Sequence, residues 1–109
     1  MLRVNNKELV TVSDDCTLKF WSSQTFKIDS QIMTETITCI ALTSPKKDLL
    51  VAGCHSGNLI LISTVSKSKR ESLNMAHYNL IRVIVTLETL KNKYFVTADV
   101  CGIVKVWSS

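Results

Sequence analysis

Three stretches of this 109-residue chain superimpose on one another without a gap. They are ELVTVSDDCTLKFW at 8–21, LLVAGCHSGNLILI at 49–62 and YFVTADVCGIVKVW at 94–107, offset by 41 and 45 residues. Each runs from an apolar strand through a small or polar turn into a second apolar strand. Trp-Ser-Ser closes the first and third copies. Apolar columns alone arise between any two β-hairpins, but shared tryptophans, a common turn phase and an ungapped register do not. A repeat of about 40–45 residues with four strands per unit marks an architecture of stacked blades, in which each unit buries its faces only against its neighbours.

The residues between the repeats are strand-like as well. Val, Ile, Leu and Thr dominate the apolar positions, and no amphipathic helical spacing appears. Glycines and the single proline punctuate short segments. Ten strands are expected, at 9–13, 17–21, 26–33, 36–43, 49–54, 58–63, 70–75, 80–87, 94–99 and 103–107, which makes the chain all-β. With 46% apolar and 20% charged residues it is no disordered tail. No apolar run reaches the roughly 18 residues of a membrane-spanning helix, and MLRVNNKELV lacks the apolar core of a secretory signal, so a cytoplasmic or nuclear chain without a membrane partner is expected. Cys16, Cys39, Cys54 and Cys101 form no C-x2-C pair. Free thiols, and neither a metal nor another cofactor, are the expectation.

VSDDCTLKFW at 12–21 resembles the small-small-Asp-Asp-Gly-Thr-aliphatic-Lys-aliphatic-Trp pattern of the WD-repeat (WD40) family, with Cys16 standing where Gly is usual. TSPKKDLLVAG at 43–53 is similar to that family's Ser-Pro stretch, a turn and then an aliphatic strand. The resemblance implies β-propeller blades of four antiparallel strands, a to d. Residues 8–33 then supply b, c and d of a first blade, 36–75 a complete second blade, and 80–109 strands a, b and c of a third. A closed propeller has about four to eight blades, so the chain reads as an incomplete arc that needs further blades from the same or another chain.

The family's blades also carry a buried network of His before strand a, Ser or Thr on strand b, Asp in the b to c turn and Trp on strand c. Thr11, Asp15 and Trp21 match it in the first blade, and His77, Thr97 and Trp107 in the third, where Cys101 stands in place of the Asp and Asp99 lies two residues away. The second blade has Ala52, Ser56 and Ile62 and keeps none of it. His77 with Asp99 and a nearby hydroxyl or thiol has the composition of a catalytic triad, but geometry rather than composition defines one, and the structural role is the expectation. Cys54 and His55, adjacent in a turn, have the residue types of a ligand pair but should point apart. No phosphate-binding glycine loop or paired-carboxylate motif is present, so no catalytic residue is assigned.

The resemblance gives the net charge of +4 a geometry. Turns at one end of the blades receive Lys7, Lys46, Lys47, Lys67, Lys69, Arg70, Lys91 and Lys93, opposed by Glu8, Asp48, Glu71 and Glu88. The other end receives Asp14, Asp15, Glu35 and Asp99 with His55 and His77. Lysine at exposed turns serves solubility in any protein. It also steers acidic partners, which makes Lys46, Lys47, Lys67, Lys69, Arg70, Lys91 and Lys93 candidates for binding an acidic protein or peptide. The expected function is a non-catalytic protein-interaction scaffold. A regulatory segment of a larger multidomain enzyme is the rival, and a nucleic-acid-binding β domain a third reading, disfavoured because no basic run is interleaved with aromatics.

Overall fold

The strands at residues 49–54 and 59–63 are buried on both sides, and that double burial sets the layering of the whole chain. Leu50, Ala52, Cys54, Ile60 and Ile62 turn one way, while Val51, Leu59 and Leu61 turn the other. A strand buried on both faces must be apolar at every position, which is why LLVAG and LILI lack the usual alternation with polar residues. The computed structural model describes residues 2–4, 7–13, 15–42, 49–88 and 93–108. Among these there are eleven strands in three antiparallel sheets, and no helix.

The first sheet holds β1 (Leu2–Arg3), β2 (Glu8–Val12), β3 (Thr17–Ser22) and β4 (Ile28–Met33) in chain order. The second holds β5 (Ile37–Leu42), β6 (Leu49–Cys54), β7 (Leu59–Ser63) and β8 (Ser68–Leu73), and the third β9 (Ile81–Glu88), β10 (Lys93–Asp99) and β11 (Val104–Ser108). The two-residue β1 was not anticipated from the sequence. It pairs Leu2 with Val10 and Arg3 with Leu9, so the first sheet has four strands where three were expected.

Two cores hold the layers together. Val10, Leu18 and Phe20 of the first sheet meet Leu50, Ala52, Ile60 and Ile62 of the second. Val51 and Leu59 of the second meet Ile81, Ile84 and Phe95 of the third, and Trp107 stacks on Phe95 with ring centroids 6.1 Å apart. Each fully buried Leu, Ile or Phe contributes about 1.5–3 kcal/mol relative to exposure. Closeness between the second and third sheets depends on Gly53. A β-carbon there would lie 2.7 Å from Ile81 Cγ2 and 2.8 Å from Cys39 Sγ.

At one end of the layers the hairpin turns and the inter-sheet links are stitched by main-chain hydrogen bonds. Thr34 donates to the Cys16 carbonyl, His55 to Thr36, His77 to Gly57 and Val100 to Leu80, at 2.8, 2.9, 3.0 and 3.0 Å. The turns are equivalent in the repeat, and the ninth of the fourteen aligned positions is left-handed each time, with φ of 65° at Cys16, 93° at Gly57 and 83° at Gly102. Cys16 therefore occupies a glycine conformation, which accounts for glycine being the usual residue there. At the opposite end Lys67, in the turn before β8, joins Glu8 at 3.1 Å and also Asp29, tying the second sheet to the first.

Candidate functional site

The densest polar cluster lies where the link before β9 crosses the end of β10. His77 sits in that link with 1% of its surface exposed, and Thr97 on β10 has none exposed. His77 Nδ1 is 2.9 Å from Asp99 Oδ2, and its Nε2 is 2.7 Å from Thr97 Oγ1. Trp107 on β11 donates its indole N–H to the same threonine oxygen at 2.9 Å. One directional chain satisfies all four groups: Trp107 donates to Thr97, the Thr97 hydroxyl to Nε2 of His77, and Nδ1–H of His77 to Asp99. Asp99 Oδ1 also accepts the main-chain N–H groups of Cys101 at 2.9 Å and Ile103 at 3.1 Å. Burial pushes the Asp99 carboxyl up, but His77 and those two amides together outweigh it and hold the group below the ordinary value of 3.8.

A hydroxyl, an imidazole and a carboxylate in line also describe a nucleophilic triad. Here the hydroxyl is wholly buried and already accepts from Trp107, so no substrate carbon has an approach to it. The arrangement locks the third sheet and its link together. The acid in it is Asp99, not a residue at the position of Cys101, which is exposed.

The corresponding residues of the first sheet are joined differently. Trp21 donates to Thr11 at 2.8 Å, both only half-buried. Asp15 stays apart from them and accepts from the Thr17 N–H at 3.1 Å and the Thr17 hydroxyl at 2.5 Å, closing its own hairpin. In the second sheet a network that sequence reasoning missed takes over. Glu35 accepts from the Ser56 hydroxyl and from Asn58 Nδ2, and Asn58 Oδ1 accepts from the Met75 N–H. Three segments far apart in sequence meet there, and the only sequence signal was polar Ser56 and Asn58 flanking Gly57. Cys54 and His55 do diverge: the thiol is buried and the imidazole exposed. Burial, with the Glu35 carboxylate nearby, pushes the Cys54 thiol up to about 12 and so favours its neutral form. No group of three or more metal-ligating side chains occurs among the described residues.

Of the basic residues singled out by charge, Lys46, Lys47 and Lys91 lie outside the described residues, as does the side chain of Lys93. Lys67 is engaged by Glu8 and Asp29. Lys69 and Arg70 are exposed on β8. Arg70 lines a cavity of about 410 Å³ with Glu71, Leu61, Leu73, Phe95 and Trp107, between β8 and the β10–β11 hairpin. The cavity sits beside the outer edge of the three-stranded sheet, where the other two sheets carry a fourth strand.

Antiparallel sheets stacked face to face around short, stitched turns define a β-propeller-like architecture. No protein-family model and no curated protein matches the chain. Solved structures do. Sqt1 of Saccharomyces cerevisiae, a WD40 protein, superimposes with a TM-score of 0.81 at 11% identity over 94% of this chain. The computationally designed Ika4 protein superimposes with a TM-score of 0.75 at 18% identity over 98% of it. The chain spans 28% of Sqt1 and 63% of Ika4, and at these identities the likeness establishes the fold.

Proposed function

We propose that the chain is a non-catalytic, protein-binding segment of a WD40-type propeller, with its three sheets as the blades, and that it takes an extended peptide carrying a carboxylate against Arg70. The cavity beside β11 supports this reading. Its walls are apolar at Leu61, Leu73, Phe95 and Trp107, and Arg70 makes no ion pair among the described residues. An extended segment laid along the open edge of β11 satisfies its own main chain there and sends alternate side chains toward the cavity. The guanidinium then receives a carboxylate in bidentate geometry. Glu71 on the same wall opposes a run of acids, so the fitting peptide is an apolar strand with a single carboxylate.

Trp107 reports on the site. In a Trp21→Phe background, titration with a peptide of alternating Val and Thr around one central Glu should change the Trp107 emission saturably. Arg70→Glu, or replacement of the peptide Glu by Lys, should weaken binding at least about tenfold, equivalent to about 1.4 kcal/mol. A dissociation constant indifferent to both changes refutes the proposal.

A further inference from the structure

The outward face of the third sheet repeats, position for position, a surface that is packed against a neighbouring sheet elsewhere in the chain. Val83, Val85, Val104 and Val106 occupy the register positions that Cys39, Ala41, Leu59 and Leu61 hold in the second sheet. There those residues pack beneath the third sheet. On the third sheet the equivalents are open: Val83 is 46% exposed, Val85 50%, Val104 60% and Val106 65%, and Leu87 on the same strand as Val85 is 50% exposed. A contiguous row of exposed valines on one face of a sheet marks an association surface rather than a solvated one.

The rear face of the first sheet carries the matching half. In the third sheet the rear face that meets the second is made of the cross-strand pairs Phe95 with Trp107 and Thr97 with Lys105. In the first sheet the same positions hold Leu9 with Trp21 and Thr11 with Lys19. Both faces keep the indole bond to threonine, at 2.8 and 2.9 Å. The second sheet, with Leu50, Ala52, Ile60 and Ile62 on its rear, has no such set.

We infer that the valine face of the third sheet docks on the Trp21 face of the first sheet in a second copy of this chain, repeating the packing already present between the second and third sheets. The contact is head-to-tail, so it must close or propagate. Propellers hold about four to eight blades, and two copies of three sheets make six, the only multiple of three in that range. The product is a two-fold dimer with two identical new interfaces. This inference does not rest on the peptide site, because the cavity lies on the rear side of the third sheet and the valines face outward.

Sedimentation of the 109-residue chain tests it. The wild type should run at twice its 12.2 kDa mass. Val106→Glu and Leu9→Glu should each weaken self-association at least tenfold, and mixing the two should restore a dimer through the one pair of unaltered faces. Circular dichroism checks that each variant folds, and Lys19→Glu replaces Leu9→Glu if that variant does not. A monomeric wild type overturns the inference, because the valine face is then covered by something other than a second copy. So does a rear-face variant that stays dimeric, which signals pairing of valine face to valine face, or a mixture that fails to reassociate.

Discussion

Thr97 and Thr11 make the same bond to a tryptophan in different surroundings, and the difference has a measurable size. Thr97 is wholly buried and serves both Trp107 and His77, whereas Thr11 serves Trp21 alone in a half-buried setting. Replacing Thr97 by the isosteric Val leaves the buried Nε2 of His77 and the half-buried indole N–H of Trp107 without partners, so Thr97→Val should cost about 2–3 kcal/mol in chemical denaturation and Thr11→Val about 1 kcal/mol or less. Equal losses would show that the His77 contact adds nothing. Asp99 gives a pH signature. Its carboxyl titrates lower in the folded chain than the ordinary 3.8, so its stabilisation is complete above that value and is lost as the pH falls through the folded value. Asp15, whose carboxyl the Thr17 hydroxyl holds low, acts in the same direction. Asp99→Asn should therefore shallow, without abolishing, the fall of the thermal midpoint below about pH 4; an unchanged slope would remove Asp99 from the account. His77, Thr97 and Trp107 were named in the sequence through the resemblance to WD blades, and the structure joins them by hydrogen bonds. That Asp99 completes their network was left open, because a two-residue displacement along a turn is a matter of backbone path.

Among the elements, β6 and β9 set the spacing between layers. Gly53→Ala places a methyl group against Ile81, which is fully buried, and against Cys39. Overpacking of this kind costs about 1–3 kcal/mol. Gly102→Ala meets nothing within 4 Å and has only its φ of 83° to set against it, so about 1 kcal/mol is expected. Urea titrations with unchanged slope should rank the two variants in that order, and the reverse order would mean that the sheets give way more readily than the turn. Element type was legible wherever two-residue alternation or continuous apolar character ran for five residues or more, as in β2, β6, β7 and β10. β1 was not legible, since Leu2 and Arg3 are too short to carry a period and pair only because β2 presents an open edge.

For the whole molecule, the basic set drawn from the sequence divides among its described members. Lys67 is engaged in intersheet ion pairs with Glu8 and Asp29, while Lys7, Lys69 and Arg70 are exposed. The peptide proposal uses one of these, the Arg70 guanidinium beside the apolar cavity. The exposed valine face is the second property of the whole. If two copies close a ring, the thermal midpoint should rise with protein concentration, as it does whenever association favours the folded state.

Local pattern by itself determined that the chain is all-β, that it repeats, and that the repeats resemble WD blades. Those properties follow from side-chain alternation and turn chemistry, which act over a few residues. Tertiary structure decided the rest: Asp99 as the acid of the buried network, the Glu35, Ser56 and Asn58 bridge, the Arg70 cavity and the open valine face. Each of these depends on residues distant in sequence being brought within a few ångströms, and whether a valine is covered or bare depends on what lies across from it, which no periodicity along the chain records.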